Sequence, residues 1–178
     1  MQVKKINCEF FIQDVPNHQK HKKILLDLID HIPNNPLGKI SKTDWNLPKK
    51  FERKYLEYFY PNIAQSFMED LMIYYNAKRW RITNTWFQQY NRNSEHDWHT
   101  HPQTNLTNVY FVELRDLKFK TAIKIGKKEY EYEIKEGQIV TFPAHLLHTS
   151  KPNGNERKTV IAFNSDFHYD TQDRQPIY

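Results

Sequence analysis

The chain has 178 residues and a net charge of +5, with aromatic side chains at 15% (11 Phe, 11 Tyr, 4 Trp), nine histidines and one cysteine. That length suits one domain with a full core, and the aromatic content argues against intrinsic disorder. Cys8 alone excludes an intramolecular disulfide and a multi-thiolate metal site, and no apolar run approaches the ~18 residues of a membrane span.

The N-terminus is too polar for a signal peptide, and residues 3–12 read as a strand. Asn17 caps a helix to His31 that carries Ile24, Leu25, Leu28, Ile29 and Ile32 at helical spacing, and Pro33 and Pro36 end it. Residues 38–48 read as a loop pinned by Trp45. A second helical region spans 49–76, with Pro61 either breaking it or opening a new helix. Residues 1–60 hold 11 Lys/Arg against 7 Asp/Glu, and these lysines are scattered, which predicts a solvated face and argues against a nucleic-acid partner.

From Trp80 the period changes to two: Trp80, Ile82, Asn84, Trp86, Gln88 and Tyr90 share one strand face. Further strands are expected at 107–114, 119–125, 128–134, 138–142, 147–150 and 157–165. Gly126-Lys127 suits a type II′ hairpin, Glu136-Gly137 a tight turn and Asn153-Gly154 a type I′ hairpin. Short strands with regular turns predict an antiparallel sandwich or barrel. The reading is one domain over 1–178: an N-terminal strand and helical region (1–79), a β core (80–166) and a tail (167–178).

Five histidines fall in two short segments: His96, His99 and His101, then His145 and His148. In an extended segment His99 and His101 face one point, and His148 from a neighbouring strand completes a triad. Three ligands on one face leave the opposite face of an octahedral ion open, the arrangement of non-haem iron(II) oxygenases. His96 and His145 are candidates for the rim of the site. Asp97, also two residues from His99, is a competing acidic ligand.

Several segments in order, Trp86-Phe-Gln-Gln-Tyr90, His96-Asp-Trp-His-Thr-His-Pro102, Val109-Tyr-Phe-Val112, Glu136-Gly-Gln-Ile-Val-Thr-Phe-Pro143, His148-Thr-Ser-Lys-Pro-Asn153 and Arg157-Lys-Thr-Val-Ile-Ala-Phe-Asn164, carry a likeness in both residue type and spacing. Over residues 80–165 the chain resembles the small 2-oxoglutarate/Fe(II)-dependent oxygenases, in particular a branch found in bacteria and phages. The resemblance implies an α+β, mainly β fold: a double-stranded β-helix (jelly-roll, cupin-like) core with N-terminal helices packed on one sheet. It implies Fe(II) on His99, His101 and His148, with His101 where the family has a carboxylate. It implies 2-oxoglutarate held by Arg157 and Thr159, with Tyr90 donating to it, and O2 as the oxidant. The implied activity is a dioxygenase hydroxylating a substrate C–H with release of succinate and CO2, in the cytoplasm of a bacterium or phage-infected host. Gln88 shares the face of Tyr90, and Gln89 points away. Trp86, Trp98, Tyr110 and Phe142 are candidates for the apolar wall. The primary substrate, small-molecule or peptidyl, and a homo-oligomeric state are left open. Two alternatives stand: a cupin-like metalloprotein not using 2-oxoglutarate, and a non-catalytic jelly roll with a binding or virion-associated role.

Overall fold

The computed structural model describes residues 9–119 and 121–169; positions 3–8 of the expected first strand, Lys120 and the tail from 170 lie outside the described residues. In chain order the elements are β1 (Phe11–Asp14), α1 (His18–Asp30), β2 (Lys42–Thr43), α2 (Lys54–Phe59), α3 (Gln65–Tyr74), β3 (Arg79–Tyr90), β4 (His96–His99), β5 (Leu106–Leu114), β6 (Thr121–Ile125), β7 (Lys128–Glu131), β8 (Gln138–Pro143), β9 (Leu147–Ser150) and β10 (Lys158–His168). Among the described residues the strands form two antiparallel sheets. One has six strands in the order β1-β8-β5-β10-β3-β2, the other four in the order β4-β9-β6-β7.

The six-stranded sheet is covered on both faces, which is why every residue of β5 is buried. Its outer face meets the helices: Leu25 and Ile29 of α1, Phe59 of α2 and Phe67 of α3 share a core with Phe87, Tyr110, Ile161 and Phe163. Its inner face meets the smaller sheet through Tyr90, Val109, Phe111, Val140, Phe142 and Val160, with Ile123 of β6. No helix among the described residues is long and apolar enough to cross a membrane.

Local chemistry explains the breaks between elements. Pro61 has no N–H to close a helical bond, and the chain there widens into a π-helical turn, Tyr60–Ala64, joining α2 to α3. Asn76 ends α3 in the left-handed region (φ 50), with the Ala77 N–H donating to the Met72 carbonyl. Asn17 stands at the start of α1 with φ 54, but its side chain makes no capping bond. Gly126 (φ 60) turns the chain between β6 and β7, and Gly137 (φ 88) lies so close to His18 that a Cβ would stand 2.7 Å from the imidazole.

Two sequence expectations need correction. The alternation through β3 is interrupted: Asn84 pairs with Asn164 but Ile82 with Ser165, leaving Thr83 as an extra residue. Such a bulge reverses the facing, so Trp80 and Ile82 pack on the helical side, whereas Trp86, Gln88 and Tyr90 face inward. Asn153-Gly154 is not a hairpin, because β9 belongs to the small sheet and β10 to the large one. Instead Asn153 is buried in the crossover, its side-chain amide donating to the carbonyls of Tyr90 and Glu156.

Candidate functional site

β4 and β9 pair so that His99 lies opposite His148. The Nδ1–H of His148 donates to the Leu146 carbonyl (3.0 Å), and that of His99 donates to the Asp97 carbonyl (2.7 Å). These bonds fix the tautomers and leave both Nε2 atoms unprotonated, that of His148 facing His101. His101 follows β4, its backbone N–H held by the Ala144 carbonyl at 2.9 Å. Its Nε2 stands 3.2 Å from that of His148, and the ligand nitrogens of His99, His101 and His148 all lie within 4.8 Å of one another. Nitrogens bound side by side to one ion at about 2.1 Å stand roughly 3 Å apart, so the cluster has the scale of a metal site.

Electrostatics favour the same use. Burial first, then the neighbouring His99, push His148 down to about 3. Burial pushes His101 and His96 down to about 4, and His99 is lowered by the same cause. All four imidazoles are therefore neutral at pH 7, the form that binds metal. Asp97 turns away: its carboxylate is 83% exposed and 3.9 Å from Lys39. His96 stacks on His99 with ring centroids 3.8 Å apart, and its Nδ1 meets the Gln88 amide at 3.2 Å. The Gln88 carbonyl oxygen in turn accepts from Tyr90 Oη at 2.7 Å. His145 is exposed on the turn after β8 and does not line the site.

The basic residue in this cavity is Lys158, which is 2% exposed. It pairs across the sheet with Tyr90, its ammonium donating to Ser150 Oγ and lying 4.3 Å from the centroid of the Tyr90 ring. Burial lowers its pKa to about 7. Arg157 and Thr159 occupy the other face of the strand. The guanidinium and the hydroxyl do converge on one carboxylate, as their spacing suggested, but that carboxylate is the protein's own Glu113, at 2.8 and 3.1 Å. Arg157 also pairs with Asp30 at 3.2 Å. The structure thus does not bring Arg157 or Thr159 to the histidines, and it does bring Tyr90.

Two spaces meet at the histidines. The inner cavity is lined by His148, Lys158, Tyr90, Ser150 and Thr107; the outer cleft, by Trp45, Asn84, Pro102, Gln103 and Asn164. Trp86, Gln88, His96, His99 and His101 border both. Trp86 stacks on His101 (5.4 Å, 17°) and Phe142 packs edge-on against His148 (4.8 Å). Of the other aromatic candidates, Trp98 is 37% exposed and Tyr110 lies in the helix-side core, so neither forms the wall.

Solved structures similar over most of the chain include three of one kind. An oxidoreductase of the 2OG-Fe(II) oxygenase family from Burkholderia pseudomallei matches with TM-score 0.70 and 12% identity, over 94% of this chain and 88% of the other. The viral collagen prolyl hydroxylase of Paramecium bursaria Chlorella virus-1, a 2OG complex, matches with TM-score 0.61 and 11% identity, over 90% and 96%. The non-haem α-ketoglutarate-dependent epimerase SnoN from nogalamycin biosynthesis matches with TM-score 0.63 and 12% identity, over 94% and 84%. This chain has the 2OG-Fe(II) oxygenase fold. No protein-family model and no curated protein matches the sequence. Hydroxylase and epimerase both use this oxygenase fold, so the reaction has to be argued from the site.

Lys158 is the site residue that sequence reasoning missed. Its signal was its place one residue from Arg157, on the face that also carries Val160 and Ala162. Asp44 was missed as well. Its buried carboxylate accepts from Arg53 Nε (2.8 Å), Tyr55 Oη (2.8 Å) and the Phe87 N–H (2.9 Å), and this pins the 38–48 segment. Trp45, expected to be the pin, is instead 52% exposed.

Proposed function

We propose that this protein is an Fe(II)- and 2-oxoglutarate-dependent dioxygenase that hydroxylates a C–H bond of a small-molecule or peptidyl substrate. The observation that carries the reading is the convergence of three neutral imidazole nitrogens at a buried cavity whose far wall holds one lysine. His99, His101 and His148 would hold the ion. Iron and 2-oxoglutarate together supply the activation of O2, with conversion of the cosubstrate to succinate and CO2.

The chain's own residues do the rest. The Leu146 and Asp97 carbonyls hold two ligand rings in register before any ion arrives. Lys158 supplies the counter-charge for the distal carboxylate of the cosubstrate, and an anion beside it restores the full ammonium charge that burial suppresses. Ser150 Oγ accepts from the ammonium, and Tyr90, whose hydroxyl proton goes to Gln88 in this structure, lies beside it. Trp86 and Phe142 exclude water, which strengthens every charge interaction inside. The inner cavity encloses only about 30 Å³, so its lining side chains must shift to admit the cosubstrate.

Anaerobic titration with Fe(II) and 2-oxoglutarate tests this. A weak visible charge-transfer absorption is expected, and His148→Ala, which removes one of three ligands, should abolish it. An iron complex indifferent to 2-oxoglutarate would replace this reading with the cupin-like one, and no iron binding would leave a non-catalytic jelly roll.

A further inference from the structure

Resting on that reading, we propose that the outer cleft is the substrate site and that it takes an uncharged ring compound bearing hydroxyl or amide groups, seated on Trp45. The cleft measures about 420 Å³, room for one or two rings, and opens directly onto His99 and His101. Trp45 is presented on a segment that the buried Asp44 carboxylate anchors, and its indole meets Trp86 edge to face at 4.7 Å. A half-exposed indole on an anchored segment is a preformed platform for a flat, C–H-rich surface.

Apart from the imidazoles of His96, His99 and His101 and the Thr100 hydroxyl, the polar lining is carboxamide. Asn84, Gln88, Gln103 and Asn164 contribute carboxamides, and among the described residues no Lys, Arg, Asp or Glu lines the cleft. Carboxamides donate and accept, so they match hydroxyl and amide groups, whereas a carboxylate or ammonium brought here would lose its hydration without a counter-ion. Gln103 carries a second signal. It follows Pro102 with φ 62, where glycine or asparagine would sit with less strain, and strained residues of this type concentrate at functional sites.

The test compares neutral probes with partners that carry one anionic group: methyl glucopyranoside against methyl glucuronide, and thymidine against thymidine monophosphate. Binding is followed by the indole N–H NMR signals of the protein loaded anaerobically with Fe(II) and 2-oxoglutarate, with metal-free protein alongside. At least one neutral probe is expected to bind about tenfold more tightly than its charged partner, and Trp45→Ala should remove most of that affinity while Trp45→Phe keeps part of it. Which pair responds separates a glycoside from a nucleoside source. Equal or tighter binding of the charged partners, no shift from any neutral probe at tens of millimolar, or binding indifferent to Trp45→Ala would overturn the assignment. The charge-transfer absorption is read on the same samples. Its absence from the parent protein sinks the oxygenase reading, whereas its presence without a preference for neutral probes sinks the cleft assignment alone.

Discussion

The two faces of the six-stranded sheet use the same strands for opposite ends. On the outer face Phe87, Tyr110, Ile161 and Phe163 close against the helices. Charged groups on that side stay at its margin, neutralised among themselves, as in the Arg157–Glu113–Asp30 set. On the inner face Gln88, Lys158, Thr107 and Asn164 are buried polar residues. Burying them costs stability unless each finds a partner, and no buried side-chain nitrogen or oxygen among the described residues lacks one. The helix-side core lies on one face and the histidine cavity on the other, and residue parity, reset at the bulges, decides the side.

Substitutions on the two faces should therefore separate folding from binding. The largest effect is expected from Phe163→Ala on the outer face. Loss of a fully buried ring costs about 3–5 kcal/mol, roughly 10 °C in melting temperature for a chain of this size, while the remaining folded protein still binds iron and 2-oxoglutarate. Next comes Lys158→Met on the inner face, for which 2-oxoglutarate affinity should fall about 10- to 100-fold in anaerobic titration, roughly 1.4–2.8 kcal/mol, with melting temperature unchanged or higher at pH 7.

The same lysine marks the pH profile. Its pKa is about 7 folded against an ordinary 10.5, so the unfolded chain holds the extra proton between those values and metal-free stability rises with pH across that window. Chemical denaturation at pH 7 and 10 should show this rise, and Lys158→Met should flatten it. The histidine cluster adds a slope on the acid side. With folded values from about 3 to about 4 for His148, His96 and His101, acidification below about 6.5 protonates the unfolded chain first. The metal-free protein should melt progressively lower from pH 7 to pH 4. A flat acid profile would count against a dry, neutral cluster. The smallest effect is expected from Arg157→Gln. A partly exposed ion pair contributes about 0–1 kcal/mol, and 2-oxoglutarate affinity should not move. A tenfold loss there would erase the distinction between the faces.

How far the sequence revealed this arrangement follows from the same parity. His99, His101 and His148 were legible because two sit at strand spacing in one segment and the third follows Phe142-Pro143. The strands were legible from period two and their turns. Arg157 was misplaced because Asn153-Gly154 reads as a hairpin, whereas the chain there crosses between sheets, and register across such a crossover leaves no local trace. The reversal at Thr83 was hidden for a similar reason, since a bulge depends on the pairing of two strands distant in sequence. Asp44 and Trp45 exchanged their expected roles because pinning power came from a buried carboxylate with three donors rather than from side-chain size.

His99 and His148 belong to the small sheet and Lys158 to the large one. A ligand coordinated at one layer and ion-paired at the other acts as a rivet through the sandwich. Under the proposed function, loading would be a mechanical event as well as a chemical one: amide protons of β4 and β9 should exchange more slowly, and resistance to proteolysis should grow with the logarithm of cosubstrate concentration. Turnover, which would shorten the five-carbon dianion to succinate, would then pull the rivet at the end of each cycle.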